Sequence, residues 1–132
     1  MGAFDRRLAA IMVADMEQYS RLMHEDEQAT VLAWQKTREE VVKPTIANHS
    51  GNIIKNTGDG FVAEFATVSG AVECGGAMQT KLIEQNSDRP EGRQLKFRMG
   101  INLGEITVDT DDFYGDGVNI AARLEGLAEA PG

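Results

Sequence analysis

Gly51 to Phe65 reads GNIIKNTGDGFVAEF. Two short strands, Asn52–Asn56 and Phe61–Phe65, flank a tight turn. Asp-Gly at a turn tip is a strong hairpin signal, because both central positions can adopt positive φ. The turn sets the Asp59 carboxylate at the exposed end of an apolar ribbon. Upstream, Leu8–Ala14 is apolar throughout, as in a strand buried on both faces. It runs into a second acid, Asp15. Two acids, each closing a buried strand, can converge on one cation. Mg2+ takes hard oxygen ligands and keeps waters beside one or two carboxylates. Spacing alone leaves a plainer reading open, with Asp59 as a turn residue and Asp15 as a helix cap.

On either side of this hairpin the chain alternates between helical and extended patterns. MEQYSRLM, after Asp15, reads as a turn into a short helix. Glu25 or Asp26 opens the next helix, where acids suit the N-terminal dipole. Val31, Trp34, Val41, Val42 and Ile46 fall along one stripe of it. Pro44 removes one helical hydrogen bond and is expected to kink or end the regular turn. Asn48-His49-Ser50-Gly51 is a stop signal, with Gly51 suited to a left-handed cap. After the hairpin, Thr67 or Ser69 caps a helix to about Gln85, with Ala71, Cys74, Gly75, Met78 and Leu82 on one face. Asn86–Arg93 reads as a solvated loop. Leu95, Phe97, Met99 and Ile101 alternate with Lys96, Arg98 and Gly100, a half-buried strand. Gly104 is expected to turn the chain into a partner strand, Glu105–Val108. An acidic loop, Asp109–Asp116, leads to a final helix, Val118–Leu127. This order predicts an α+β, ferredoxin-like βααββαββα sandwich with a mainly antiparallel sheet and helices packed on it.

The chain has 132 residues, enough for one domain with a useful core. Its net charge of −8 argues against nonspecific nucleic-acid or anionic-membrane binding. Cys74 is the single cysteine, so no intrachain disulfide forms, and an inert thiol in a reducing compartment is expected. No apolar run reaches the roughly 20 residues of a membrane span. The N-terminus lacks a secretory hydrophobic core, and cytoplasmic residence is the expectation. Residues 1–7 read as an arm or linker remnant and 8–132 as the domain. Ala130-Pro131-Gly132 arrives without a further strand, so a C-terminal part is expected to be missing.

Asp112–Arg123, DFYGDGVNIAAR, adds a second chemical cluster. Asn119 and Arg123 lie four apart on a helix and point the same way. The arginine fork suits phosphate oxygens and the charge that grows during phosphoryl transfer. A solvated helix with a local salt bridge is the alternative.

Together, AAIMVADMEQYSRLM, IIKNTGDGFVAEF, FRMGINLGEI and DDFYGDGVNIAARLE resemble the class III nucleotidyl cyclase catalytic domain, most like the bacterial adenylate cyclases. The resemblance runs from about Leu8 to Gly132. It implies that Asp15 and Asp59, with the Met16 backbone carbonyl, hold Mg2+ or Mn2+, two ions per site. It implies that Lys55 and Asp112 read the purine. Guanylate cyclases typically carry Glu and Cys at those two places, so the pair favours ATP. Asn119 would orient the ribose and Arg123 would stabilise the transition state at the α-phosphate. The implied reaction is attack of the ribose 3′ oxygen on the α-phosphate, giving cyclic AMP and pyrophosphate for signalling.

The resemblance also implies a head-to-tail homodimer with sites at the interface, metal residues from one chain and base-reading residues from the other. Regulatory domains in a longer parent are expected, with no nucleic acid and no direct membrane contact from this segment. A nucleotide-binding or dimerisation module without turnover, and a guanylate cyclase, are the alternatives. The family usually carries glycine three residues after the first metal aspartate, where this chain has Gln18. In the family, the region beyond Gly132 supplies further strands and a lysine for the terminal phosphates.

Overall fold

A computed structural model describes residues 5–108 and 113–114. β1 (Asp5–Met16) leads through α1 (Tyr19–Glu25), α2 (Glu27–Thr37), a π-helical turn (Arg38–Val42) and α3 (Lys43–Asn48). The hairpin β2 (Asn52–Asn56) and β3 (Gly60–Phe65) follows, then α4 (Val68–Asn86), a 3-10 turn (Glu91–Arg93), β4 (Phe97–Val108) and β5 (Phe113–Tyr114). The sheet order is β2-β3-β1-β4-β5, and every neighbouring pair is antiparallel.

β1 and β2 therefore run parallel with β3 inserted between them, and β3 and β4 run parallel around β1. Each parallel pair is joined by a helical crossover. The two crossovers step in opposite directions from strands of opposite sense, so right-handedness puts both on one face. The predicted α+β ferredoxin-like sandwich is this arrangement. Among the described residues, no helix is long and apolar enough to cross a membrane.

Alternation along β1 separates two cores. Ala10, Met12, Ala14 and Met16 face the helices, where they join Leu22, Trp34, Val42, Ile46, Phe61, Met78, Leu82 and Phe97. Trp34 and Phe61 meet the Phe97 ring edge-on, with centroids 5.6 and 6.0 Å away. Such contacts add to the area that the rings bury. Ala9 and Ile11 face the other way and pack with Val62, Val13 and Ile54. Asp15 continues this second row.

Several local expectations are corrected. β1 starts at Asp5, before Leu8. Gly60 belongs to β3, and the loop is Thr57 to Asp59 rather than an Asp-Gly two-residue turn. Asp59 does not take positive φ. Ser50, at φ 58°, takes the left-handed position expected of Gly51. A Cβ at Gly51 would instead strike the Phe65 ring, 2.4 Å away.

Gly104 does not turn the chain. β4 runs unbroken against β1 from Met16↔Phe97 to Asp5↔Val108, with Gly104 opposite Ala9. A long partner strand overrides one glycine. β5 pairs with the far end of β4, inside the stretch expected to be an acidic loop. The predicted helix 118–127 lies outside the described residues.

Asn86–Arg93 is not simply solvated. Asn86 is buried and clamps β4's approach, donating to the Leu95 carbonyl at 2.7 Å and accepting from its N–H at 3.0 Å. Arg93 reaches Thr30 Oγ1 at 2.6 Å.

Candidate functional site

β1 ends beside the loop of the β2–β3 hairpin. Asp15 is paired with Gly60, and the Met16 N–H donates to the Asp59 carbonyl at 2.8 Å. Position 60 admits no side chain, because a Cβ there would lie 1.9 Å from the Ala14 carbonyl oxygen. This close main-chain approach brings the two predicted acids to one corner of the sheet. The Thr57 N–H donates to the Gly60 carbonyl at 3.1 Å and closes the loop.

The electrostatics reflect that proximity. Burial first, and the Asp15 carboxylate second, push the Asp59 carboxyl above its ordinary value. Its own main-chain N–H and the Arg98 guanidinium pull the other way.

Arg98 is opposite Asp15 on β4 and grips it at two points, Nε to Oδ1 at 3.1 Å and Nη2 to Oδ2 at 3.3 Å. Two-point contact fixes orientation as well as charge. Sequence reading had Arg98 only as the polar half of an alternating strand. Alternation gave its face. The β1–β4 register, which gives its partner, has no local signal.

The described residues contain no cluster of three or more His, Cys, Asp or Glu side chains able to hold a metal. Two carboxylates are nevertheless the usual protein share for a Mg2+ ion that also binds water and phosphate. Asp15 and Asp59 are partly buried and repel one another, and both offer hard carboxylate oxygens beside the Met16 main chain. The donor set therefore fits a divalent ion.

Lys55 follows a bulge in β2 and pairs with Val62. Val62 also pairs with Val13, so Lys55 shares the Asp15 face. It is exposed there. Gln18 sits in the left-handed region, at φ 57° and ψ 30°, just before α1. Its Oε1 accepts from Arg21 Nε at 2.7 Å. Asp112, Asn119 and Arg123 lie outside the described residues.

His24 is exposed. His49 Nδ1 lies 2.8 Å from the Thr45 carbonyl. Cys74 is buried, and burial raises its thiol pKa to about 11, so it is inert. A surface hollow beside α2 and α4, bordered by Lys36, Glu40, Lys81 and Arg89, includes neither Asp15 nor Asp59.

The adenylate and guanylate cyclase catalytic domain model matches residues 5–131. The chain is 46% identical over 127 residues to "Putative adenylate cyclase 3" of Rhizobium meliloti, covering 96% of this chain and 22% of that protein. It is 27% identical over 124 residues to an adenylate cyclase of Streptomyces coelicolor, covering 94% of this chain and 31% of the relative. The chain thus spans less than a third of either relative. The crystal structure of an adenylate/guanylate cyclase/hydrolase from Silicibacter pomeroyi superposes with a TM-score of 0.87 at 40% identity, over 96% of this chain and 74% of that one. The adenylyl cyclase CyaB from P. aeruginosa gives 0.82 at 25% identity, over 96% and 75%. By sequence and by fold, this chain belongs to the adenylate and guanylate cyclase catalytic domain family.

Proposed function

We propose that the chain is an adenylate cyclase domain that converts ATP to 3′,5′-cyclic AMP and pyrophosphate. The observation that carries this reading is the meeting of Asp15 and Asp59 at one corner, with Arg98 beside them. Asp15, Asp59 and the Met16 carbonyl would hold two Mg2+ or Mn2+ ions. When bound, such ions acidify a ribose hydroxyl and offset phosphate charge.

In the reaction the bond from the ribose 3′ oxygen to the α-phosphorus forms, and the bond from that phosphorus to the bridging oxygen breaks. The 3′ proton passes to solvent and pyrophosphate leaves. Arg98 neutralises Asp15 in the free protein, and its fork is suited to phosphate oxygens once a cation takes over the carboxylate. Lys55 and Asp112 are assigned to the adenine edge, as donor and acceptor. Asn119 is assigned to the ribose and Arg123 to charge growing at the α-phosphate. Lys55 lies in β2 and Asp59 in the loop that follows it. They would serve different sites of a head-to-tail homodimer, with Lys55 completing its partner's. ATP as substrate places the domain in the cytoplasm, in service of cyclic-nucleotide signalling within a longer parent.

The test is cyclic AMP formation by the full-length parent protein with Mg2+ or Mn2+. Asp59→Ala is expected to lower the rate by about 100-fold or more. Undiminished turnover in that variant would remove the metal role. Preference for GTP in a competition assay would overturn the adenine assignment. ATP binding by calorimetry without any product would leave a binding module in place of the enzyme.

A further inference from the structure

The turn that follows Asp15 carries a non-glycine residue in the left-handed region, Gln18 at φ 57°. Unbranched polar side chains enter that region at a cost unless something local holds them there. Here the holder is visible. Arg21 Nε donates to Gln18 Oε1 at 2.7 Å, while Nη1 is paired with Glu25 at 2.7 Å. The same guanidinium leans on the Gly92 carbonyl at 3.5 Å, across from the turn preceding β4. The Glu17 N–H donates to the Lys96 carbonyl at 2.7 Å on that same side.

From these contacts we propose that Gln18 and Arg21 are positioning residues. The side-chain tether between them holds the Glu17–Gln18 turn, and with it the end of β1 at Asp15 and Met16, in its metal-binding shape, in place of glycine's conformational freedom. The proposal rests on the metal reading above. It also places the Gln18 amide against α1, on Arg21.

The test is a double-mutant cycle on the full chain, reading amide hydrogen exchange at residues 17–19 and Mn2+ affinity by electron paramagnetic resonance. Arg21→Ala is expected to speed exchange there and to weaken Mn2+ binding, each about threefold, the scale of an exposed charged tether. Q18A should do the same or more. Q18G should restore Mn2+ binding, because glycine takes φ 57° freely. Adding R21A to Q18G should then change nothing further.

Equal effects of R21A in both backgrounds, or no effect in either, would overturn the tether. Faster exchange with unchanged Mn2+ affinity would overturn the positioning role. A wild-type chain that binds no Mn2+ would sink the metal reading and the positioning role with it, and exchange alone would then decide whether the tether exists.

Discussion

Asp59 illustrates a conflict between site and stability at the scale of one residue. Its carboxyl is held above the ordinary value of 3.8, mainly by burial and then by Asp15. A carboxyl with a raised folded-state pKa favours folding in its protonated form. That contribution is complete below the unfolded pKa and is lost as pH rises through the folded value. Asn cannot titrate. Asp59→Asn is therefore expected to match the wild type in melting temperature below about pH 3.5. It should exceed the wild type increasingly as pH rises toward neutrality in chelator-treated protein. Millimolar Mg2+ should raise the wild-type melting temperature and leave the variant's unchanged, since binding to the folded state alone stabilises it. Thermal melts across pH, with and without Mg2+, check both halves. Gly60 and Arg98 complete the picture. One is fixed by a backbone contact and the other by register, and neither is marked by its own chemistry.

At the scale of elements, two joints show how tertiary structure rewrites local rules. Pro44 was expected to kink or end its helix. The regular α-helix does end ahead of it, in a π-helical turn where the Lys43 N–H reaches back five residues to the Arg38 carbonyl. Pro44 then stands in the first turn of α3, where a missing N–H costs little. Pro44→Ala should shift stability by less than about 1 kcal/mol, against about 3 for a proline in a regular helix interior. Chemical denaturation measures this.

Asn86 behaves differently. Its amide satisfies both main-chain groups of Leu95 and also takes Arg89 Nη1 at 2.9 Å. Asn86→Ala leaves a buried N–H and a buried carbonyl unpaired and should destabilise by about 2–3 kcal/mol. A lower urea midpoint with an unchanged slope would confirm that the loss is local. α4 itself was readable because its cap and face are local. Thr67 Oγ1 accepts from the Gly70 N–H at 3.0 Å, and Ala71, Cys74, Gly75, Met78 and Leu82 are all buried as their spacing demands.

At the scale of the whole molecule, the fold gathers the ends of β1, β4 and the β2–β3 hairpin at one corner. The proposed dimer would set a partner's Lys55 and Arg123 against that corner. Asp59→Ala and Arg123→Ala chains should each be nearly inactive alone. Mixed in equal amounts, they should recover about a quarter of wild-type activity, because half the dimers are mixed and each has one intact site. No recovery after exchange of subunits would place both residues in the same site. Specific activity should also fall on dilution through the dimer dissociation range.

The sequence by itself determined the class of the fold, the hairpin, α4 and the two acids at strand ends. All of these depend on periodicity, caps and turn residues within a few positions of one another. Only the tertiary structure decided that β4 runs through Gly104, that Gly60 must lack a side chain, and that Arg98 faces Asp15. The reason is that strand register and close backbone approach are set between segments far apart in sequence. A long strand such as β1 aligns both of its neighbours at once, and that register places Gly104 opposite Ala9 and Arg98 opposite Asp15.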